Sequence, residues 1–316
     1  MNRDTIRIAT RSSDLALWQA YFVRDQLRAI TPAVDVKIVH VSTVGDRDQV
    51  GQLQQFGGLG VFTREVQKAV LCGDADLAVH SLKDLPTTAV EGLTLGGIPQ
   101  RGAMFDCLVF PVDAEEPPAD VTELQPQARI GTGSPRRQAQ LRHHRPDLVL
   151  SGVRGNVATR LQKLDQGDFD ALVLAEAGLT RLGLEHRMGI RLRPPVLLPA
   201  VGQGALGIEC RHDDTWLREQ LEAITDIETR RSVDAERSLL AELQAGCHAP
   251  VGVCTRVDHG QLTMESVVLS ADGLTRLHTV QTTDFTQSDA LGPRCAEDLR
   301  KQGADELIHP QSGPND

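Results

Sequence analysis

Aromatic side chains are scarce in this sequence: seven Phe, two Trp and one Tyr make up 3% of its 316 residues. A hydrophobic core must therefore rest on Leu, Val, Ile and Ala, and an apolar content of 40% is ordinary for a globular protein. The chain is longer than one typical domain, so the sequence predicts two or three domains.

Long apolar runs are also missing. No run of about eighteen uncharged apolar residues occurs, so no membrane-spanning helix is expected. The first residues, MNRDTIRIATRSSD, are charged from the start and lack the apolar segment of a secretory signal. The sequence therefore predicts a cytoplasmic protein.

Paired cysteines and an excess of positive charge are absent too. The six cysteines are scattered, with neither a CxxC pair nor zinc-site spacing, so we expect reduced thiols and no metal. Lys and Arg number 33 against 43 Asp and Glu, a net charge of −10. Because nucleic-acid binding needs a basic surface, nucleic acid is not an expected partner. The lack of a long exposed apolar helix favours a monomer.

The sequence does contain a regular alternation of strand and helix patterns. Short β-rich runs alternate with amphipathic helical segments through the first 200 or so residues, which predicts doubly wound α/β domains with mainly parallel sheets. After about residue 226 a helix, a cysteine-containing loop and alternating strands indicate a small α+β domain. The predicted domains are residues 1–104 with a return segment at 203–224, residues 105–202, and residues 225–312.

Basic residues follow several of the predicted strands. Ligands of open α/β sheets bind at the carboxyl ends of strands, so cations gathered there on an acidic protein predict a polyanionic ligand. Guanidinium groups favour carboxylates because they can engage both oxygens. The alternative is that these cations are solvated surface residues or interdomain ion pairs. The residues concerned are Arg11, Lys83, Arg136, Arg137, Arg154 and Arg160.

Two further residues are candidates for chemistry. Asp84 lies beside Lys83 in HSLKDLP, and among cations an ionised carboxylate can stabilise transient positive charge on a substrate. Taken alone, this pair before a proline is typical of a turn. Cys247, in LQAGCHAPVG, follows Gly246 in a predicted loop that presents its thiol. Its alternative is a buried, small apolar side chain.

Six ordered runs carry a resemblance to a known family: IATRSSDLALWQA, ADLAVHSLKDLP, IGTGSPRRQAQL, VRGNVATRLQKLD, LPAVGQGALGIECR and ERSLLAELQAGCHAPVG. Across nearly its whole length the chain resembles the porphobilinogen deaminase (hydroxymethylbilane synthase) family. The resemblance implies two α/β domains like those of type II periplasmic binding proteins and a third domain that carries a cofactor cysteine. It also implies a transferase of tetrapyrrole (heme) biosynthesis that condenses four porphobilinogens head to tail into hydroxymethylbilane and releases ammonia each time.

The resemblance also implies roles for particular residues. The residue matching the cofactor cysteine is Cys247, which would form a thioether to dipyrromethane, and the main acid/base group would be Asp84. Each porphobilinogen carries an acetate and a propionate, which explains cations at strand ends. The residues implied to bind cofactor and substrate are Arg11, Ser13, Ser81, Lys83, Thr132, Ser134, Arg136, Arg137, Arg154 and Arg160.

The chain departs from the family pattern at several positions. Val44, Gln55 and Leu59 stand where the family has basic residues, the DPRDA-like run reads AMFDC at 103–107, and Ala245 replaces a glycine. The resemblance implies that this loop covers the cleft, and the loss of basic residues lowers its positive charge. A rival hypothesis follows, in which the chain is a paralogue with impaired or altered turnover that binds a carboxylate-rich pyrrole ligand.

Overall fold

The computed structural model describes residues 3–41, 63–246 and 249–309. It divides into two compact units, Met1–Gly102 with Gly204–Arg230, and Ala103–Gln203 with Arg231–Asp316. The first unit includes the segment that begins at Gly204, and the second unit combines Ala103–Gln203 with the C-terminal residues. The three-domain division stays a prediction.

The first unit is built on a five-stranded sheet. Its strand order is β2-β1-β3-β10-β4, and β10 is antiparallel to both of its neighbours, so the other four strands point the same way. These strands are β1 Thr5–Thr10, β2 Asp35–His40, β3 Leu77–Ser81, β4 Leu93–Gly97 and β10 Leu206–Arg211.

Helices cover this sheet because their apolar stripes match its apolar faces. Ala20, Val23 and Leu27 of the first helix are fully buried and pack with Ile6 and Ile8 of β1. At about 25 cal/mol per Å² of apolar surface, this burial is the main force that holds helix and sheet together. The helices of this unit are α1 Asp14–Ile30, α2 Arg64–Leu71 and α6 Thr215–Ala223.

The second unit contains a five-stranded sheet of the same topology. Its order is β7-β6-β8-β5-β9, and here β5 is the antiparallel strand. The strands are β5 Asp106–Val109, β6 Arg129–Gly131, β7 Val149–Ser151, β8 Ala171–Ala175 and β9 Arg191–Leu192. The helices that accompany them are α3 Pro135–His144, α4 Val157–Asp165 and α5 Glu176–Arg181.

The C-terminal part of the chain forms a three-stranded antiparallel sheet with helices. Its order is β11-β12-β13, and His259 and Gly260, both at positive φ, make the tight turn between the first two strands. Its elements are α7 Ile227–Glu242, β11 Val251–Asp258, β12 Gln261–Leu269, β13 Arg276–Asp284, α8 Leu291–Lys301 and α9 Ala304–Ile308.

The expected fold class is confirmed: two mainly parallel α/β sheets accompany a small α+β region. The apolar run at 171–179 contains parts of two elements. The strand ends at Ala175 and a helix begins at Glu176. None of the helices within the described ranges is both long and apolar enough to cross a membrane.

Candidate active site

A pocket in the first unit lies at the carboxyl ends of β1 and β3. These two strands are parallel neighbours, so the residues that follow them meet at one edge of the sheet. Four of the residues predicted from the sequence line this pocket together: Arg11, Ser13, Ser81 and Asp84. The structure therefore brings the predicted carboxylate next to a predicted guanidinium and two predicted hydroxyls.

Gln19 is a residue of this pocket that the sequence reasoning missed. Its side chain is buried, and its Nε2 donates a hydrogen bond to Ser81 Oγ at 2.8 Å. An amide buried on an otherwise apolar helix must find polar partners, which fixes the Ser81 hydroxyl in place. A Gln among the apolar positions of DLALWQAYF was the available signal.

His80 also lines the pocket and was not predicted. Its Nε2 lies 3.1 Å from Glu209 Oε2, although the ring is not oriented for a proper hydrogen bond. Gln67 Nε2 donates to the same carboxylate oxygen at 2.8 Å. All three side chains are nearly fully buried, so His80 connects the pocket to a buried polar group.

Asp84 lies in a short 3-10 turn, Leu82–Asp84, directly after β3. Leu82 is buried and anchors this turn, Asp84 is exposed, and Lys83 between them is half-buried. Lys83 is not among the residues that line the pocket. The turn thus holds the Asp84 carboxylate at the rim of the pocket, in contact with solvent.

In the second unit, predicted residues lie in the loops after β6 and β7, which are parallel neighbours. Thr132 is fully buried and its hydroxyl accepts a hydrogen bond from the Ser134 N–H. Ser134 occupies the N-cap position of α3, but its side chain does not cap the helix. Arg154 is exposed in the other loop, and Arg160 Nε donates to Gly155 O at 2.7 Å.

Arg136 and Arg137 are both more than nine-tenths buried, and both pair with Asp106. Arg136 Nη2 is 2.8 Å from Asp106 Oδ2, and Arg137 Nη2 is 2.6 Å from Asp106 Oδ1. Gln203 Nε2 also donates to Asp106 Oδ1, at 3.0 Å. Asp106 is fully buried, and its partnership with two arginines 30 residues away was not predicted.

The formal charges of Asp106, Arg136 and Arg137 sum to +1. Burial lowers the pKa of the Arg136 guanidinium, although the neighbouring Asp106 opposes that effect. Arg137 Nε is buried and has no hydrogen-bond partner among the described residues. A buried net charge and an orphaned donor are the features that an anionic ligand satisfies.

Several predicted positions lie outside the described residues. These are Cys247, the proposed cofactor attachment point, and Val44, Gln55 and Leu59 of the altered loop. Within the described residues, no group of three or more His, Cys, Asp or Glu side chains is placed to hold a metal ion.

Fold and side chains together define an α/β protein whose sheet edges offer guanidinium groups, hydroxyls and a carboxylate to an acidic ligand. Residues 6–219 match the family described as porphobilinogen deaminase, dipyromethane cofactor binding domain. Residues 231–301 match porphobilinogen deaminase, C-terminal domain. The chain belongs to the porphobilinogen deaminase family.

Curated relatives agree along nearly the whole chain. A porphobilinogen deaminase of Synechococcus sp. (strain RCC307) is 44% identical over 98% of this chain and 96% of its own length. That of Nostoc sp. (strain PCC 7120) is 44% identical over 97% of this chain and 94% of its own length. Membership of the family confirms the expected class of enzyme, a transferase of tetrapyrrole biosynthesis, and the expected dipyrromethane cofactor.

Solved structures with a similar trace include the periplasmic VFT2 domain of Bordetella pertussis BvgS. It is 14% identical, covers 73% of this chain and 92% of its own, and has a TM-score of 0.44. A likeness at this level carries no information on function.

The described residues fit a dipyrromethane bearing acidic side chains. Such a group offers carboxylates and pyrrole N–H groups, which require guanidinium donors and a carboxylate acceptor respectively. In the first unit Arg11 and Asp84, which line one pocket, supply one of each kind.

Proposed function

We propose that the protein condenses four porphobilinogen molecules head to tail into hydroxymethylbilane, releasing one ammonia per unit, on a dipyrromethane joined to Cys247. The observation that carries this proposal is the pocket in which Asp84 lies beside Arg11, Ser13 and Ser81. An acidic substrate whose pyrrole develops positive charge needs this combination of a cation, hydroxyl donors and an ionised carboxylate.

Asp84 is assigned the role of the acid/base group. Its carboxylate accepts hydrogen bonds from substrate pyrrole N–H groups and stabilises the positive charge that develops when the aminomethyl C–N bond breaks and ammonia leaves. It then holds the proton lost from the pyrrole carbon once the new C–C bond has formed. Its exposed position at the rim lets that proton exchange with solvent.

The remaining assigned residues bind and orient carboxylates. In the first unit these are Arg11, Ser13, Ser81 and Lys83, and in the second unit Thr132, Ser134, Arg136, Arg137, Arg154 and Arg160. Arg136 and Arg137 would act from their Asp106 pairing, which holds the guanidinium groups in fixed orientations. Bound dipyrromethane supplies the pyrrole carbon to which substrate units are added, and its tether gives a high effective concentration.

The protein is further proposed to be a cytoplasmic monomer with no nucleic-acid partner. The acidic net charge of −10 supports the last point. Three domains, with the third carrying Cys247, remain part of this proposal.

Purified protein mixed with porphobilinogen tests the proposal. We expect porphobilinogen to be consumed with one ammonia released per molecule, and Cys247→Ser to consume none. Binding of porphobilinogen without release of ammonia by the unaltered chain would instead support a paralogue that has lost turnover. If turnover is slow, separate basic substitutions at Val44, Gln55 and Leu59 measure how far the altered loop lowers the rate of turnover.

A further inference from the structure

Arg193, a residue that no part of the proposed function uses, lies in a cluster with Glu176 and Phe105. Its Nη1 is 2.5 Å from Glu176 Oε1 and its Nη2 is 3.3 Å from Glu176 Oε2, a bidentate pair. Its guanidinium carbon lies 4.1 Å from the centre of the Phe105 ring. The carboxylate and the ring therefore fix the plane and the direction of the guanidinium.

The topology of the second sheet places this cluster at the ligand edge. Glu176 directly follows β8, and Arg193 directly follows β9. Phe105 directly precedes the antiparallel strand β5, whose first residue, Asp106, pairs with both Ala175 and Leu192. Arg193, Glu176 and Phe105 thus share one edge with the Asp106 that holds Arg136 and Arg137.

Exposure within the ion pair is uneven. The Glu176 side chain is 5% exposed, whereas the Arg193 side chain is 37% exposed. A guanidinium has five N–H donors, and the pair with Glu176 uses two of them. Nε and one N–H on each Nη have no hydrogen-bond partner among the described residues, so three fixed donors remain available.

We propose that Arg193 is an additional carboxylate-binding residue, which contacts an acetate or propionate of the pyrrole substrate or of the growing chain. The inference rests on the proposed function and extends it by one residue. Glu176 and Phe105 are positioning residues for Arg193. Because Glu176 already neutralises the guanidinium, Arg193 acts by directed N–H donation, and the net positive charge of the neighbouring Asp106 cluster adds to the attraction.

The alternative is an ion pair that serves only stability, and two substitutions separate the two roles. Arg193→Lys keeps a positive charge next to Glu176 but removes the planar fork of donors. The double variant Arg193→Gln/Glu176→Gln removes both charges together, so no buried carboxylate is left unpaired. A matched control is Arg129→Gln/Asp170→Asn, because Arg129 and Asp170 form a bidentate pair at the opposite edge of the same sheet.

The readouts are KM for porphobilinogen, the fraction of purified protein that carries the two-pyrrole addition, and the intact-mass distribution of chain lengths at limiting substrate. Loss of a charge-assisted contact predicts a roughly tenfold rise in KM for both Arg193 variants and an altered distribution of chain lengths, with the control unchanged. A wild-type KM and a wild-type distribution of chain lengths in Arg193→Lys would overturn the proposal. If the double variant does not fold, the result for Arg193→Lys is sufficient to test it. If the unaltered protein neither carries an addition nor consumes porphobilinogen, the proposed function fails first, and this inference fails with it.

Discussion

The two five-stranded sheets share one strand order but present different chemistry at their carboxyl ends. The edge in the first unit carries an exposed carboxylate, Asp84, beside hydroxyls and one arginine. In the second unit, buried arginines lie around a buried carboxylate, Asp106. Under the proposed function, the same topology would serve proton chemistry at one edge and anion binding at the other.

The largest expected effect comes from removing the exposed carboxylate. Asp84→Ala and Asp84→Asn should lower kcat by about 10²–10⁴, since the acid/base group is lost. Because Asp84 is exposed, the free energy of unfolding should change by no more than about 0.5 kcal/mol. Near-normal turnover in either variant would remove Asp84 from the mechanism.

Removal of the buried carboxylate, Asp106, should instead have a large effect on the free energy of unfolding. Asp106→Asn leaves two buried guanidinium groups without their counterion, which should cost about 3–5 kcal/mol in the free energy of unfolding. Denaturant unfolding measures this, with Asp170→Asn as control, because that half-exposed partner of Arg129 should cost about 1 kcal/mol or less. An Asp106→Asn protein as stable as the control would contradict the role of Asp106 as the counterion of Arg136 and Arg137.

A smaller effect is expected at the Gln19 amide. Gln19→Leu removes the hydrogen bond that orients Ser81, and loss of about 1 kcal/mol of binding corresponds to a roughly fivefold rise in KM. Gln220→Leu is the control, because the Gln220 amide bonds only to Trp216 O within its own helix. Equal KM values for the two variants would show that the Ser81 contact does not matter for substrate.

The last prediction concerns the reactivity of two buried cysteines. They lie on β5 and β10, the antiparallel strands that occupy the same position in the two sheets. Burial raises the pKa of Cys107 to about 12 and that of Cys210 to about 11. At pH 8 both thiols stay protonated, and the thiolate is the reactive form. Iodoacetamide on native protein should therefore label exposed Cys72 well before either, as peptide mass mapping would show. Labelling of Cys107 as fast as Cys72 would contradict the burial of β5.

Much of this fold could be predicted from local sequence patterns. The alternation of strand and helix patterns is present in both five-stranded sheets, because apolar spacing specifies an element well and its first residue less well. The position of antiparallel β10 between β3 and β4 could not be predicted, since that pairing joins segments more than 100 residues apart.

The candidate site likewise contains residues that could be predicted from the sequence and residues that could not. Arg11 and Asp84 were predicted from their positions at strand ends, whereas Ser13 and Ser81 were implied by the family resemblance. The roles of Asp106 and Gln203 were not, since a buried acid and a buried amide find their partners only through the tertiary fold. Their roles depend on their being buried, and the local sequence around a single polar residue does not show whether it is buried.

The most direct measurement is the intact mass of the unaltered protein and of Cys247→Ser after a brief exposure to porphobilinogen. The account predicts a series of masses for the unaltered chain, each heavier than the last by one pyrrole unit, above a base that already includes two such units. Cys247→Ser should show the mass of the bare polypeptide throughout. An unmodified mass for the unaltered chain, or the same additions on the serine variant, would contradict a thiol-tethered pyrrole chain.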